Sequence, residues 1–148
     1  MRISEVLGGK TGGSSGAVVT VSPDATVREL VGLLAEHNIG ALVVSRDGSA
    51  VDGIVSERDV VRRLPDDASV LDAAVSTIMS REVRTCTGRD TVNDLMLLMT
   101  QHRFRHVPVV EEDRLVGIVS IGDVVKSRMS ELEFERDQLD SYVQGAQT

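Results

Sequence analysis

The sequence repeats itself, and the repeat restricts the available folds more than any other feature. Thr26-Val27-Arg28-Glu29-Leu30 returns as Thr91-Val92-Asn93-Asp94-Leu95. Gly53-Ile54-Val55-Ser56-Glu57-Arg58-Asp59-Val60-Val61 returns as Gly117-Ile118-Val119-Ser120-Ile121-Gly122-Asp123-Val124-Val125. The offset is 65 residues in the first block and 64 in the second. One residue has therefore been lost in the loop that holds Asp47-Gly48 in the first copy, and such slips belong in surface loops. Thr20 corresponds to Thr85, and His37 to His102. A unit of about 60 residues is too small to bury a core of its own. Two units are expected to pack sheet against sheet about a pseudo-twofold axis, with ligand clefts at the joint.

Each copy shows the same order of elements. In the first, 18–21 reads as a short strand, and Ser22-Pro23-Asp24 as a turn. Val27, Leu30, Val31 and Leu34 recur at helical spacing, so a helix is expected over 26–37, capped by Asp24 or Thr26. Strands at 41–45 and 51–55 flank the Asp47-Gly48 turn as a hairpin. A helix over 56–64 is stopped by Pro65. The second copy repeats this with a strand at 83–86, a helix at 91–102, strands at 106–110 and 115–119, and a helix from about 121. The expected fold class is α/β (α+β): two β-α-β-β-α repeats, at 1–66 and 67–127, followed by an acidic helical tail at 128–148. The 24 valines suit such a sheet-containing core.

Two segments fall outside the repeat. The Gly/Ser-rich stretch 8–16 reads as a flexible loop. Its Gly9-Lys10-Thr11 resembles the end of a phosphate-binding loop, but Ser4 stands where the upstream glycine belongs and no strand precedes it. In the tail, Val125, Met129, Leu132, Arg136, Leu139 and Val143 follow a 4-3-4-3-4 spacing, a heptad seam. From Met129 onward the chain carries five acids and one arginine. Such a seam needs a partner surface: its own domain, a second copy or another protein.

Composition removes several function classes. No apolar run approaches the ~18 residues of a membrane-spanning helix. A net charge of −7 opposes non-specific binding to nucleic acid. Only Phe104, Phe134 and Tyr142 are aromatic, too few for base-stacking platforms. The lone Cys86 excludes an internal disulfide framework and a multi-cysteine zinc site. With no secretory signal in the opening residues, a reducing cytoplasm is the expected compartment.

The blocks at Gly53–Asp59 and Gly117–Asp123 resemble the signature of CBS domains: Gly, hydrophobic, any, Ser or Thr, two of any type, Asp. The resemblance covers about residues 3–127 and implies a stand-alone CBS pair, or Bateman module. It implies a regulatory sensor that binds an adenosine-containing ligand in clefts between the repeats: AMP, ADP, ATP, NAD(H) or S-adenosylmethionine. It also implies pairing into a homodimer. A serine at a helix start lies beside free backbone N–H groups that suit a phosphate. An aspartate one turn on can accept bonds from ribose hydroxyls. Alternatively, the same Ser and Asp serve only as a helix cap.

Carried over residue by residue, the resemblance implies two unequal sites. Ser56 and Asp59, with Arg58, would face Arg105, His106 and Val107, with Thr85 nearby. Ser120 and Asp123 would face Gly40 and Ala41, with Thr20 nearby. Val43 stands where the second repeat has Pro108, which departs from the family pattern. Arg105, His106 and Arg58 suit phosphate, whereas Gly122 replaces Arg58 in the second site.

Other constellations point to packing. A helix-to-strand boundary separates His102 from His106, so no metal site is expected. Cys86 lies on an apolar stretch with no paired base, and no catalytic arrangement of carboxylates or nucleophiles appears. The chain is expected to be no enzyme and to require no cofactor. A second copy is expected on the face from Leu30 to Leu34 and Leu95 to Met99, and an effector protein in trans. A structural scaffold with empty clefts is the alternative.

Overall fold

The computed structural model describes residues 1–10 and 18–146. The architecture is mixed α+β. In chain order the elements are α1 (Ile3–Lys10), β1 (Thr20–Val21), α2 (Val27–His37), β2 (Ala41–Val44), β3 (Gly53–Ser56), α3 (Glu57–Arg63), α4 (Val92–His102), β4 (His106–Glu111), β5 (Arg114–Ser120) and α5 (Ile121–Ala146). Short 3-10 turns occupy Ala68–Asp72 and Val75–Thr77.

Local chemistry sets the helix starts. Thr26 caps α2 and Thr91 caps α4, each in a capping box closed by Glu29 or Asp94. The Asp94 carboxyl is held below its ordinary range by the backbone N–H of Thr91, then by its hydroxyl. Of the two caps open for α2, Thr26 is the one used, while Asp24 sits in the turn with its N–H on Ser22 Oγ. Both helices end on a left-handed residue, Asn38 at φ 51° and Arg103 at φ 58°. α3 stops at Leu64, itself still helical, because Pro65 has no N–H to continue the hydrogen-bond ladder.

The chain divides into two compact units that cut across the repeats. One takes residues 15–86 and 107–118, the other residues 1–14, 87–106 and 119–148. In the first unit β1 pairs parallel to β2, and β2 antiparallel to β3 with Ala41 opposite Ser56. Leu30, Leu42, Val44, Val55 and Val75 form its dry centre. Ile54 exchanges two backbone bonds of 2.9 Å with Ser80. That approach explains the signature glycine: a Cβ on Gly53 would lie 2.8 Å from the Ser80 carbonyl oxygen and from Met79 Sδ. In the second unit α5 packs on α4 and α1. Backbone bonds tie Ile3 to Asp90 and Val92 to Met1. The Met1 ammonium lies 2.7 Å from Glu131 on α5 and, with Arg128, holds that carboxyl below its ordinary range.

Three expectations need correction. Residues 83–86 form no strand: only Cys86 bridges, in parallel, to Val109. Cys86 N–H donates to Pro108 O and Val110 N–H donates to Cys86 O. Pro108 lacks the N–H that would carry this ladder back toward Arg84, whereas Val43, its counterpart, keeps one and β1 forms. Gly8 to Lys10 form the last turn of α1, not a loop, since Glu5 accepts from Arg2 N–H and starts a helix there. The remainder of the 8–16 segment lies outside the described residues, as does Thr11. The face named for a second copy points inward: Leu30, Leu34, Leu95 and Met99 are all buried. The helical period picks out the stripe that packs against the chain's own core, and their exposed apolar neighbours are Val31, Met96 and Leu97.

The loss of one residue between the repeats shows as a change of turn. β4 and β5 join through Glu112 and Asp113, both at positive φ (50° and 62°), as a tight primed turn requires. The longer first loop is organised by Ser45 and Asp47, with Gly48 at φ 85°.

Candidate ligand-binding turns

Each repeat brings its signature Ser and Asp to one turn at the junction of its last strand and last helix. Ser56 ends β3 and caps α3: its Oγ accepts from Asp59 N–H at 3.4 Å, and Asp59 Oδ2 accepts from Ser56 N–H at 2.8 Å. The Ser56 hydroxyl also donates to Asp59 Oδ2 at 3.1 Å. The second turn repeats this. Asp123 Oδ2 accepts from Ser120 N–H and from Ser120 Oγ, each at 2.9 Å, and Ser120 Oγ accepts from Asp123 N–H at 3.2 Å. Burial distinguishes these turns from those opening α2 and α4: Asp59 and Asp123 are half-buried, while Glu29 and Asp94 are exposed. Both Asp59 bonds use Oδ2, and Asp59 Oδ1 takes none from the described residues.

A second device pins each turn. The first N–H of the last helix donates to the residue before the middle strand of the same repeat: Glu57 N–H to Gly40 O at 2.9 Å, and Ile121 N–H to Arg105 O at 2.8 Å. Gly40 and Arg105 thus hold equivalent places, with their carbonyls already engaged. Ala41 and Val107 are buried, so their side chains offer nothing to a ligand and only backbone groups remain. Arg58, Arg105 and Thr85 are exposed; Thr20 and His106 are half-buried.

One residue escaped the sequence reading. Glu57 folds over Gly40, its Oε1 at 3.6 Å from where a Gly40 Cβ would stand. The neighbourhood of Gly40 is therefore acidic rather than uncharged. The Glu57 counterpart is Ile121, so the repeat comparison could have flagged the position as unequal.

Among the described residues, no three His, Cys, Asp or Glu side chains gather to hold a metal ion. Among them, too, no helix is long and apolar enough to cross a membrane.

Comparison with known proteins agrees with the geometry. The family model for the CBS domain matches residues 15–66 and 75–130. The chain is 37% identical over 148 residues to the mitochondrial CBS domain-containing protein CBSX3 of Arabidopsis thaliana, covering 97% of this chain and 72% of that one. It is similar to the crystal structure of a CBS-domain containing protein from Agrobacterium tumefaciens, with a TM-score of 0.78, 44% identity, and coverage of 86% of this chain and 99% of that one. Two solved structures share the fold at lower identity. One is CBSX2 in complex with AMP (24%, TM-score 0.68, 76% and 88% covered). The other is the CBS pair of protein MJ0100 with 5-methylthioadenosine and S-adenosyl-L-methionine (23%, TM-score 0.74, 88% and 98% covered). Two matched repeats, each ending on the same pinned Ser-x-x-Asp turn, place this chain in the CBS-domain family as a CBS pair.

Proposed function

We propose that the chain is a non-catalytic regulatory module that senses an adenosine-containing ligand, works as a homodimer and signals to an effector protein in trans. The carrying observation is the half-buried Asp59, which spends one carboxylate oxygen on its own turn and keeps the other for a hydroxyl donor. A carboxylate has about four acceptor sites, so capping and ribose binding are compatible. AMP and S-adenosylmethionine in the CBS proteins above support the ligand class. The first ligand set is Ser56, Arg58, Asp59, Thr85, Arg105, His106 and Val107; the second is Thr20, Gly40, Ala41, Ser120 and Asp123. Exposed guanidinium groups suit the first to phosphorylated ligands, since charge-assisted bonds are roughly twice as strong as neutral ones. The Glu57 carboxylate over Gly40 turns the second set away from phosphate.

One observation favours a plain scaffold instead: the capping boxes account for both Ser-Asp pairs without a ligand. Thermal melting with millimolar AMP, ADP, ATP, NADH and S-adenosylmethionine decides between the readings. A ligand at 100 times its Kd adds about 2.7 kcal/mol, or roughly 5–10 °C for a chain of this size. Asp59→Asn keeps an oxygen for the Ser56 N–H while removing the second acceptor. It should erase the shift from the phosphorylated ligands with little change in the unliganded Tm. No shift from any of the five ligands would establish the scaffold.

A further inference from the structure

The last helix continues far past the CBS fold. Val124 and Ser127 are buried against the body, and Arg128 and Glu131 half-buried, but from Leu132 to Gly145 every residue is exposed. At about 100° per residue, the seam Val125, Met129, Leu132, Arg136, Leu139 and Val143 lies roughly a quarter-turn away from that packed stripe. Its apolar members are between 46% and 65% exposed. A single amphipathic helix of this length is marginal in water without a partner.

The charges beside the seam choose the partner. Lys126 and Arg128 flank its beginning, and Glu133, Glu135 and Asp140 flank the rest. We propose that this seam pairs antiparallel with the same seam of a second copy, a pairing that rests on the homodimer reading above. Reversal sets Val125 opposite Val143 of the second copy, Met129 opposite Leu139, and Leu132 opposite Arg136, so that all six positions are used over about 27 Å. Lys126 then faces Asp140. Glu133 and Glu135 meet their own counterparts near the centre, where the two Arg136 side chains lie between them. A parallel pair brings Arg128 to Glu133 but stacks Arg136 on Arg136 inside the seam and sets Glu135 against Asp140. Reversal keeps Arg136 from stacking on Arg136 and sets the basic start of one helix beside the acidic end of the other.

Cysteine pairing tests both the partner and its direction. Met129→Cys and Leu139→Cys alter exposed side chains and leave the body intact. The wild-type protein, whose Cys86 is buried, serves as control. In the antiparallel pair of Met129→Cys chains, the two introduced thiols stand about 15 Å apart along the axis, beyond the roughly 7 Å Cα limit for a disulfide. The same separation holds for Leu139→Cys. Each variant alone should therefore stay uncrosslinked under mild oxidation, and an equimolar mixture should yield a disulfide-linked dimer. Crosslinking within either single variant would overturn the antiparallel register. No crosslink in the mixture would overturn seam pairing altogether. Light scattering on the same samples then separates the two claims: a dimer mass keeps the homodimer with another interface, and a monomer mass removes that as well. As a second readout, Arg136→Glu should weaken dimerisation at least tenfold, and adding Glu133→Arg should restore it. An unchanged dimer Kd in Arg136→Glu would overturn the proposed charge register.

Discussion

The two repeats carry the same turn and surround it differently. Ser56–Asp59 and Ser120–Asp123 match bond for bond, and each is pinned through the first helical N–H to the residue before its middle strand. Around them, Gly40 stands against Arg105, Glu57 against Ile121 and Arg58 against Gly122. The helices that follow also diverge: α3 has seven residues and halts before Pro65, while α5 runs for 26. A short-range hydrogen-bond pattern can thus be duplicated unchanged, while the groups around it set charge, reach and partner.

The sharpest contrast is between two glycines. Gly53→Ala drives a Cβ against the Ser80 carbonyl and should cost about 1–3 kcal/mol. Gly122→Ala meets only Ser120 Oγ at 3.6 Å and should stabilise α5 by up to about 1 kcal/mol. Thermal denaturation of both variants checks the pair, and a neutral Gly53→Ala would mean that β3 and Ser80 separate easily. Next come the caps. Ser56→Ala and Ser120→Ala should each lose about 1 kcal/mol, measured by urea unfolding. Losses that differ by more than the cap itself would break the equivalence of the turns. The smallest effect lies in the hairpins. Asp113 occupies a left-handed position that glycine takes without strain, so Asp113→Gly should add roughly 0.5 kcal/mol. A decrease in Tm for that variant would show that the Asp113 side chain supports its turn.

Much of this was readable in advance because it is local. The four helix starts depend on a Ser or Thr and an acid three residues later, bonded across a single turn, and both spacings stand in the sequence. The seam of α5 was legible for the same reason, since its spacing needs no knowledge of what lies beside it. Pro65 announced the end of α3, and the repeat announced the pair.

The rest came from residues far apart in the chain. Gly53 is required because Ser80 crosses it, which no motif records. The stripe of Leu30, Leu34, Leu95 and Met99 was expected to take a second copy, and packing turned it inward. The 83–86 segment had a strand's composition but met Pro108, which has no N–H to give. Glu57 reaches Gly40 only because β2 and β3 bring their ends together. Hydrogen bonds within one turn are set by neighbours in the chain. Burial, close approach and the surroundings of a charge depend on which distant segments arrive beside it, and that is settled only when the whole core packs.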